Sequence, residues 1–408
     1  MRPTASIQRI SLKVMRVTAA IPHGETMTIR EIYFNDSEYE QRIRKLREAM
    51  NVENIDVFVT TNPSNVCYLV GYFTQSTLDM MFLAVPRSGT PVLVIPEFER
   101  ARFEASAVGA EVAAAWRPGD DPLPFVVREF DRRGLATGQV VVDSGLTYAP
   151  HDVVSRLISG LGATGRRNLV EEVRLVKSAA EQECLRRAAT FTDAGVTAAF
   201  TAARRGATDF EVAASLIGAT VRAGSHPLSA DPYVCVGWRT GVPHSNRGGE
   251  VIGDGDPVWL EFGGCFARYT APVMRCAVAG KASPDLGALA DASNAVLDAI
   301  LPVLRAGTPA SQVAEVGRKA IDPILDRIIF HHHYGYSVGL GFSPSWRDTS
   351  HYVINEKNDR PLLSGMVFHL PLMLRIIGRY GAGFSETVII GDGEPEVLSR
   401  TPRTLVEL

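Results

Sequence analysis

The sequence predicts an α/β N-terminal domain followed by an α+β C-terminal half, with strands gathered centrally and helices packed outside. Three observations predict it. Up to Leu169, short β-branched runs bounded by turn residues alternate with helical stretches, as in an α/β unit. Beyond it come long helix-period segments, then extended runs, two more helices and a last group of strands. The chain has 408 residues, 46% hydrophobic and 21% charged, enough for about two domains with sizeable cores.

The elements follow in order. Residues 1–35 read as an arm lying over the surface or over a partner subunit. Asp36 is placed to cap a charged amphipathic helix, SEYEQRIRKLREAMN. IDVFVTT, PVLVIP and QVVVDSG are the strands of a domain spanning 36–169, with helical stretches around Glu97–Ala107 and Leu123–Arg133. The second domain, 170–408, opens with an Ala-, Glu- and Leu-rich helix from Ser178 to about Ala203 and another over Asp209–Ala223. PYVCVGW and PVWLEFGGCFARYTAPVMRCAVAG read as extended, the second with a glycine-bearing turn of its own. Helices over Pro284–Leu304 and Ala310–Ile329 precede the closing strands.

Composition removes whole classes of function. A net charge of -3 gives neither nucleic acid nor an anionic membrane an electrostatic hold. Five cysteines, Cys67, Cys184, Cys235, Cys265 and Cys276, without CxxC spacing, argue against a disulfide framework or zinc knuckle. The N-terminus lacks the continuous apolar core of a signal peptide, and no window approaches the roughly 20 apolar residues of a membrane span. The expectation is a soluble, cytoplasmic protein acting on a small molecule, with no nucleic-acid or membrane partner.

A few residues stand out chemically. Glu261 sits in an apolar strand beside Trp259, Leu260 and Phe262. A carboxylate buried there is costly unless it is functional or paired, with Arg275 or Arg268. Apolar walls raise its pKa toward the range useful for proton transfer or nucleophilic attack. His244 follows Pro243, which fixes its backbone, and imidazole titrates in the same range. The run His331–His333 invites a metal reading. Adjacent residues of an extended stretch point to alternate faces, however, so His333 alone is expected to face a pocket. Trp238 with Arg239, and Trp346 with Arg347, are pocket-wall candidates, because an arginine suits a substrate carboxylate.

Seven segments then appear in a fixed order: TNPSNVCYLVGY at Thr61–Tyr72, VRLVKSAAEQECLRRAA from Val173, PHSN at Pro243–Asn246 and VWLEFGGCFARYTAPVMR at Val258–Arg275, followed by GYSVGLGF at Gly335–Phe342, GMVFHLP at Gly365–Pro371 and GFSETVII at Gly383–Ile390. Together they resemble the family of Xaa-Pro peptidases, methionine aminopeptidases and creatinase, from about Glu38 to the C-terminus. The resemblance implies a pita-bread catalytic half. It also implies five ligand positions for a binuclear metal centre. Three of these hold Pro272, Tyr336 and Pro371, which cannot serve, leaving Glu261 and Glu386. No metal and no other cofactor is expected.

Within the family the chain looks most like the metal-free ectoine hydrolases, and next like creatinase. Glu261, RYTAPVMR at Arg268–Arg275, GYSVGLGFSPSW at Gly335–Trp346, MVFH at Met366–His369 and SET at Ser385–Thr387 carry this resemblance. FTQSTLDMM at Phe73–Met81 departs from it, and Val273 and Pro371 replace the glutamates with which creatinase holds its guanidinium. The resemblance implies metal-independent hydrolysis of a non-peptide C–N bond in a small zwitterionic or cyclic amidine or amide compound. Glu261 attacks carbon or activates water, and His244 protonates the departing nitrogen. His369 and Glu386 orient substrate or act as a second acid/base, with Tyr336 beside them. Tyr72 and Phe73 complete the neighbouring subunit's site in a homodimer. An Xaa-Pro metallopeptidase with an altered single-metal site and a non-catalytic pita-bread binding module are the alternatives.

Overall fold

The computed structural model describes residues 30–77, 79–145, 149–348 and 352–408; most of the expected arm lies outside them. The chain divides after Val173 into two compact units.

In the N-terminal unit, helix α1 (Asp36–Val52) is capped by Asn35, whose side chain accepts from the Glu38 N–H, so Asp36 opens the first turn instead. Strand β1 (Val57–Thr60), α2 (Pro63–Val70), β2 (Phe82–Pro86), β3 (Val92–Pro96), α3 (Arg100–Ser106), β4 (Glu111–Trp116), α4 (Leu123–Arg132), β5 (Val140–Asp143), α5 (His151–Gly160), β6 (Thr164–Arg166) and α6 (Leu169–Arg174) follow. The strands form one mixed sheet in the order β4-β3-β2-β1-β5-β6. One face buries Val57, Val59, Val94, Val140 and Val142 against Val126, Phe130 and Leu157 from α4 and α5. Each such side chain contributes roughly 1.5–3 kcal/mol when fully buried.

The C-terminal unit opens with α7 (Ala179–Ala202), started by a capping box in which Ser178 and Glu181 satisfy each other's backbone N–H groups. Helix α8 (Asp209–Arg222) has the same device from Thr208 and Glu211. Strands β7 (Tyr233–Val236), β8 (Pro257–Phe266) and β9 (Tyr269–Val278) are followed by α9 (Pro284–Ile300), α10 (Ala310–Ile321), β10 (Gly335–Ser337), β11 (Val353–Ile354), β12 (Val367–Ile376), β13 (Tyr380–Ile389), β14 (Glu396–Val397) and β15 (Val406–Glu407). They build two sheets, β15-β9-β8-β7 and β11-β10-β12-β13-β14. The long hairpins β8–β9 and β12–β13 are tied together by side chains. Met274 N–H donates to Ser385 Oγ, and Thr387 Oγ1 donates to the Pro272 carbonyl at 2.6 Å.

Three expectations need correction here. The β8–β9 turn is made by Ala267 and Arg268, both at positive φ, and not by a glycine. Gly264 lies within the strand because α7 crosses it: a Cβ there would stand 2.7 Å from the Ala188 carbonyl oxygen and 2.9 Å from the Thr192 nitrogen. Helix α10 ends at Ile321 rather than Ile329, since Pro323 disfavours helical continuation; a 3-10 turn carries the chain on to Arg327. Finally, the segment Pro284–Val303 is long and apolar enough to cross a membrane, with mean hydropathy 1.3. Its Leu286, Leu289, Val296, Leu297 and Ile300 are buried in the core against β12 and β13, as in the central helix of a globular domain.

Candidate active site

The C-terminal unit contains a cavity of about 270 Å³. Strand alternation decides what enters it. Trp259 and Glu261 on β8, Met274 on β9, and Pro371 and Arg375 on β12 face the cavity, joined by Tyr233 and Tyr336 from β7 and β10. His244 comes from the loop after β7, His331 and His333 precede β10, and Ser345, Trp346 and Arg347 follow it.

Glu261 pairs across the sheet with Tyr233 on one side and Met274 on the other. Burial raises its pKa to about 7, while Arg375 and Arg347 oppose a further rise. His244 is exposed at the rim, at φ 56°, with its ring 6.0 Å from that of His331. Burial, Arg375 and the neighbouring imidazoles lower the His331 pKa to about 4. Burial lowers that of His333 too, and its Nδ1 lies 3.2 Å from the His331 carbonyl oxygen. His332 lines a different surface hollow, so alternation places two histidines at this site and not one.

Tyr336 is held from behind. Its hydroxyl accepts from Trp346 Nε1 at 2.9 Å and lies 2.7 Å from His369 Nδ1; His369 Nε2 lies 2.6 Å from Ser385 Oγ. Burial keeps His369 neutral, its pKa well below the usual value, and raises that of Tyr336. The loop carrying Trp346 and Arg347 is anchored by Asp348, which is buried with Arg174 and with Lys177 at 2.6 Å. Burial alone would raise the Asp348 pKa; the two cations outweigh it and lower it.

Several expected contacts fall elsewhere. His369 is wholly buried behind Tyr336 and does not line the cavity; it supports that ring. Glu386 is directly opposite Leu370, hence on the face of the hairpin turned away from Pro371 and the cavity. There it meets Arg275 at 3.0 Å and Arg403 at 3.4 Å. Trp238 is 52% exposed, and Arg239 pairs with Glu250 at 2.9 Å, so neither is a wall residue. Tyr72 is buried within the N-terminal unit, donating to Glu99 at 2.6 Å, and Phe73 lies under the Arg102 guanidinium. Arg375 and Tyr233 are not among the residues expected from the sequence, and His331, expected to point away, lines the cavity. Arg375 carried the same signal as Glu261, a charge inside the apolar run LPLMLRI.

A metal centre does not fit these donors. Pro272 and Pro371 offer no side-chain ligand, Glu386 is held by two arginines on the far face, and Tyr336 is tied to Trp346 and His369. Among the described residues no three His, Cys, Asp or Glu side chains form a group able to hold an ion.

A catalytic half built on two long hairpins, preceded by an α/β unit, defines a recognisable class of protein. The chain belongs to metallopeptidase family M24, a family of hydrolases, whose model matches residues 183–392; the creatinase/prolidase N-terminal domain matches residues 42–176. An uncharacterized hydrolase/peptidase of Sinorhizobium fredii, y4tM, is 24% identical over 394 residues, 93% of this chain and 99% of its own length. The crystal structure of dipeptidase PepE from Mycobacterium ulcerans superposes with a TM-score of 0.79 at 25% identity, covering 91% of this chain and 98% of that one. A prolidase from Thermococcus sibiricus gives 0.81 at 20% identity, over 91% and 99%, which speaks for the fold alone. The pita-bread architecture expected from the sequence is thus shown.

Proposed function

We propose that the chain hydrolyses a C–N bond in a small substrate without a binuclear metal centre, using Glu261 as its reactive carboxylate. The observation that carries this reading is a carboxyl group with a pKa near 7 in a cavity whose donors do not suit a metal pair. Ionised Glu261 takes a proton from water as the hydroxide adds to the carbonyl-type carbon. The C–N bond then breaks, and protonated His244, lining the same cavity, gives its proton to the departing nitrogen. The proton on Glu261 passes back to His244 through solvent, closing the cycle. Direct attack by Glu261, followed by hydrolysis of the acyl-enzyme, balances equally well.

The relatives favour the peptide end of this substrate range over ectoine. They are named peptidase or dipeptidase and match the chain almost end to end. A dipeptide-sized amide is therefore the second reading, and the ectoine-like compounds stay as members of the test panel. The experiment is turnover of ectoine, hydroxyectoine, creatine, small lactams and Xaa-Pro dipeptides, with metal analysis in parallel. Cleavage that survives chelation and is lost in E261Q supports the proposal. Stoichiometric bound metal with chelator-sensitive cleavage refutes it.

A further inference from the structure

The cavity holds an arginine that the protein leaves unsatisfied. Arg375 lies four residues beyond Pro371 on the same face of β12 and is 3% exposed. Neither its Nε nor its Nη1 has a hydrogen-bond partner among the described residues. The indole Nε1 of Trp259, a second wall residue, is likewise buried without an acceptor. Its ring centre lies 5.6 Å from the Arg375 guanidinium carbon. Burial lowers the Arg375 pKa, and the nearby Glu261 opposes this without taking up these donors. Buried donors left unpaired are rare in native proteins and call for an explanation. An acceptor supplied by a ligand is one.

Charge points the same way. Among the described wall residues, Arg347 and Arg375 are the guanidinium groups and Glu261 is the one carboxyl. With Glu261 ionised, the two guanidinium groups leave at least one surplus positive charge in the cavity, which a carboxylate offsets. The planar guanidinium fork matches the two oxygens of a carboxylate. A neutral guest could meet the donors but would leave the charge uncompensated, and a cationic one would add to it. Size sets the other limit, since about 270 Å³ is room for about nine waters, below the range for drug-sized ligands.

We infer that Arg375, with the Trp259 indole N–H, receives a carboxylate of the substrate, and that the substrate class is a small monoanionic carboxylate such as an N-acylated amino acid. This rests on the C–N hydrolase reading and narrows it.

The test is calorimetric binding of N-acetylglycine, N-acetylalanine and N-acetylproline, each beside its carboxamide, to full-length E261Q, E261Q/R375M and E261Q/R375K. The acids should bind about 10- to 100-fold more tightly than their amides in E261Q, the span expected for a charged, two-point hydrogen bond. R375M should erase that preference and R375K restore part of it. Acids and amides bound alike, no acid bound, or a preference untouched by R375M would overturn the inference. Should R375M fail to fold, full preference in R375K would overturn it as well. Turnover by the wild-type chain separates the two readings. Acid preference without cleavage sinks the hydrolase and spares the receptor; cleavage indifferent to R375M does the reverse.

Discussion

At Glu261, burial and charge pull in opposite directions. Apolar walls favour the neutral acid, the two guanidinium groups favour the anion, and the balance sits at about 7. A base must be ionised to act, so the acid limb of kcat/KM should rise with pH through about 7. R375M removes one opposing cation and should move that limb to higher pH; an unmoved limb would disconnect Glu261 from the profile. E261Q should lower turnover by roughly 100- to 10,000-fold while preserving binding. It should also raise stability at pH 8 but not at pH 4, where the wild-type carboxyl is already neutral. Tyr336→Phe tests the support behind the site. It strips the Trp346 N–H of its acceptor and His369 of a partner, at a cost of roughly 1–3 kcal/mol in urea unfolding.

Among the elements, the helix-capped hairpins were the most legible. The helix start at Ser178 is legible in the sequence, and so is Glu261, a lone charge in the otherwise apolar run VWLEF. Glu386 was misread because alternation says which residues share a face without saying which face meets the cavity; only the pairing of Glu386 with Leu370 decides that. Arg375 was missed since nothing in a single strand shows that its partners across the sheet cannot satisfy it. The glycines of β8 looked like a turn because crossing by α7 is a long-range fact. That crossing makes a prediction: Gly264→Ala forces a methyl group against the Ala188 carbonyl and should cost roughly 3 kcal/mol, or leave the protein insoluble.

For the molecule as a whole, buried groups set the response to pH. Asp143, raised to about 6 by burial beside Glu171, joins Glu261 and Glu386, each raised to about 7. A carboxyl raised in the folded state contributes stability that is full below its unfolded pKa and is lost as pH rises through the folded one. His331, His333 and His369 are lowered instead, so they add stability as pH climbs toward 6.5. The two slopes oppose each other across pH 5–6.5. As pH rises past 6.5 the unfolded histidines lose their protons as well, their slope fades, and the carboxyl slope prevails. Stability should therefore fall between about pH 6.5 and 8. Urea midpoints that stay level or rise over this interval would contradict the assignment. Glu171→Gln, which removes the charge beside Asp143, should act lower down, weakening the carboxyl slope around pH 5–6.5.

The captured state of Glu386 bears on the history open to this fold. An aspartate at position 272 would enter a buried strand, while the carboxylate of Glu386 on the far face is already held by Arg275 and Arg403. Each single step toward chelation is thus a loss before it is a gain.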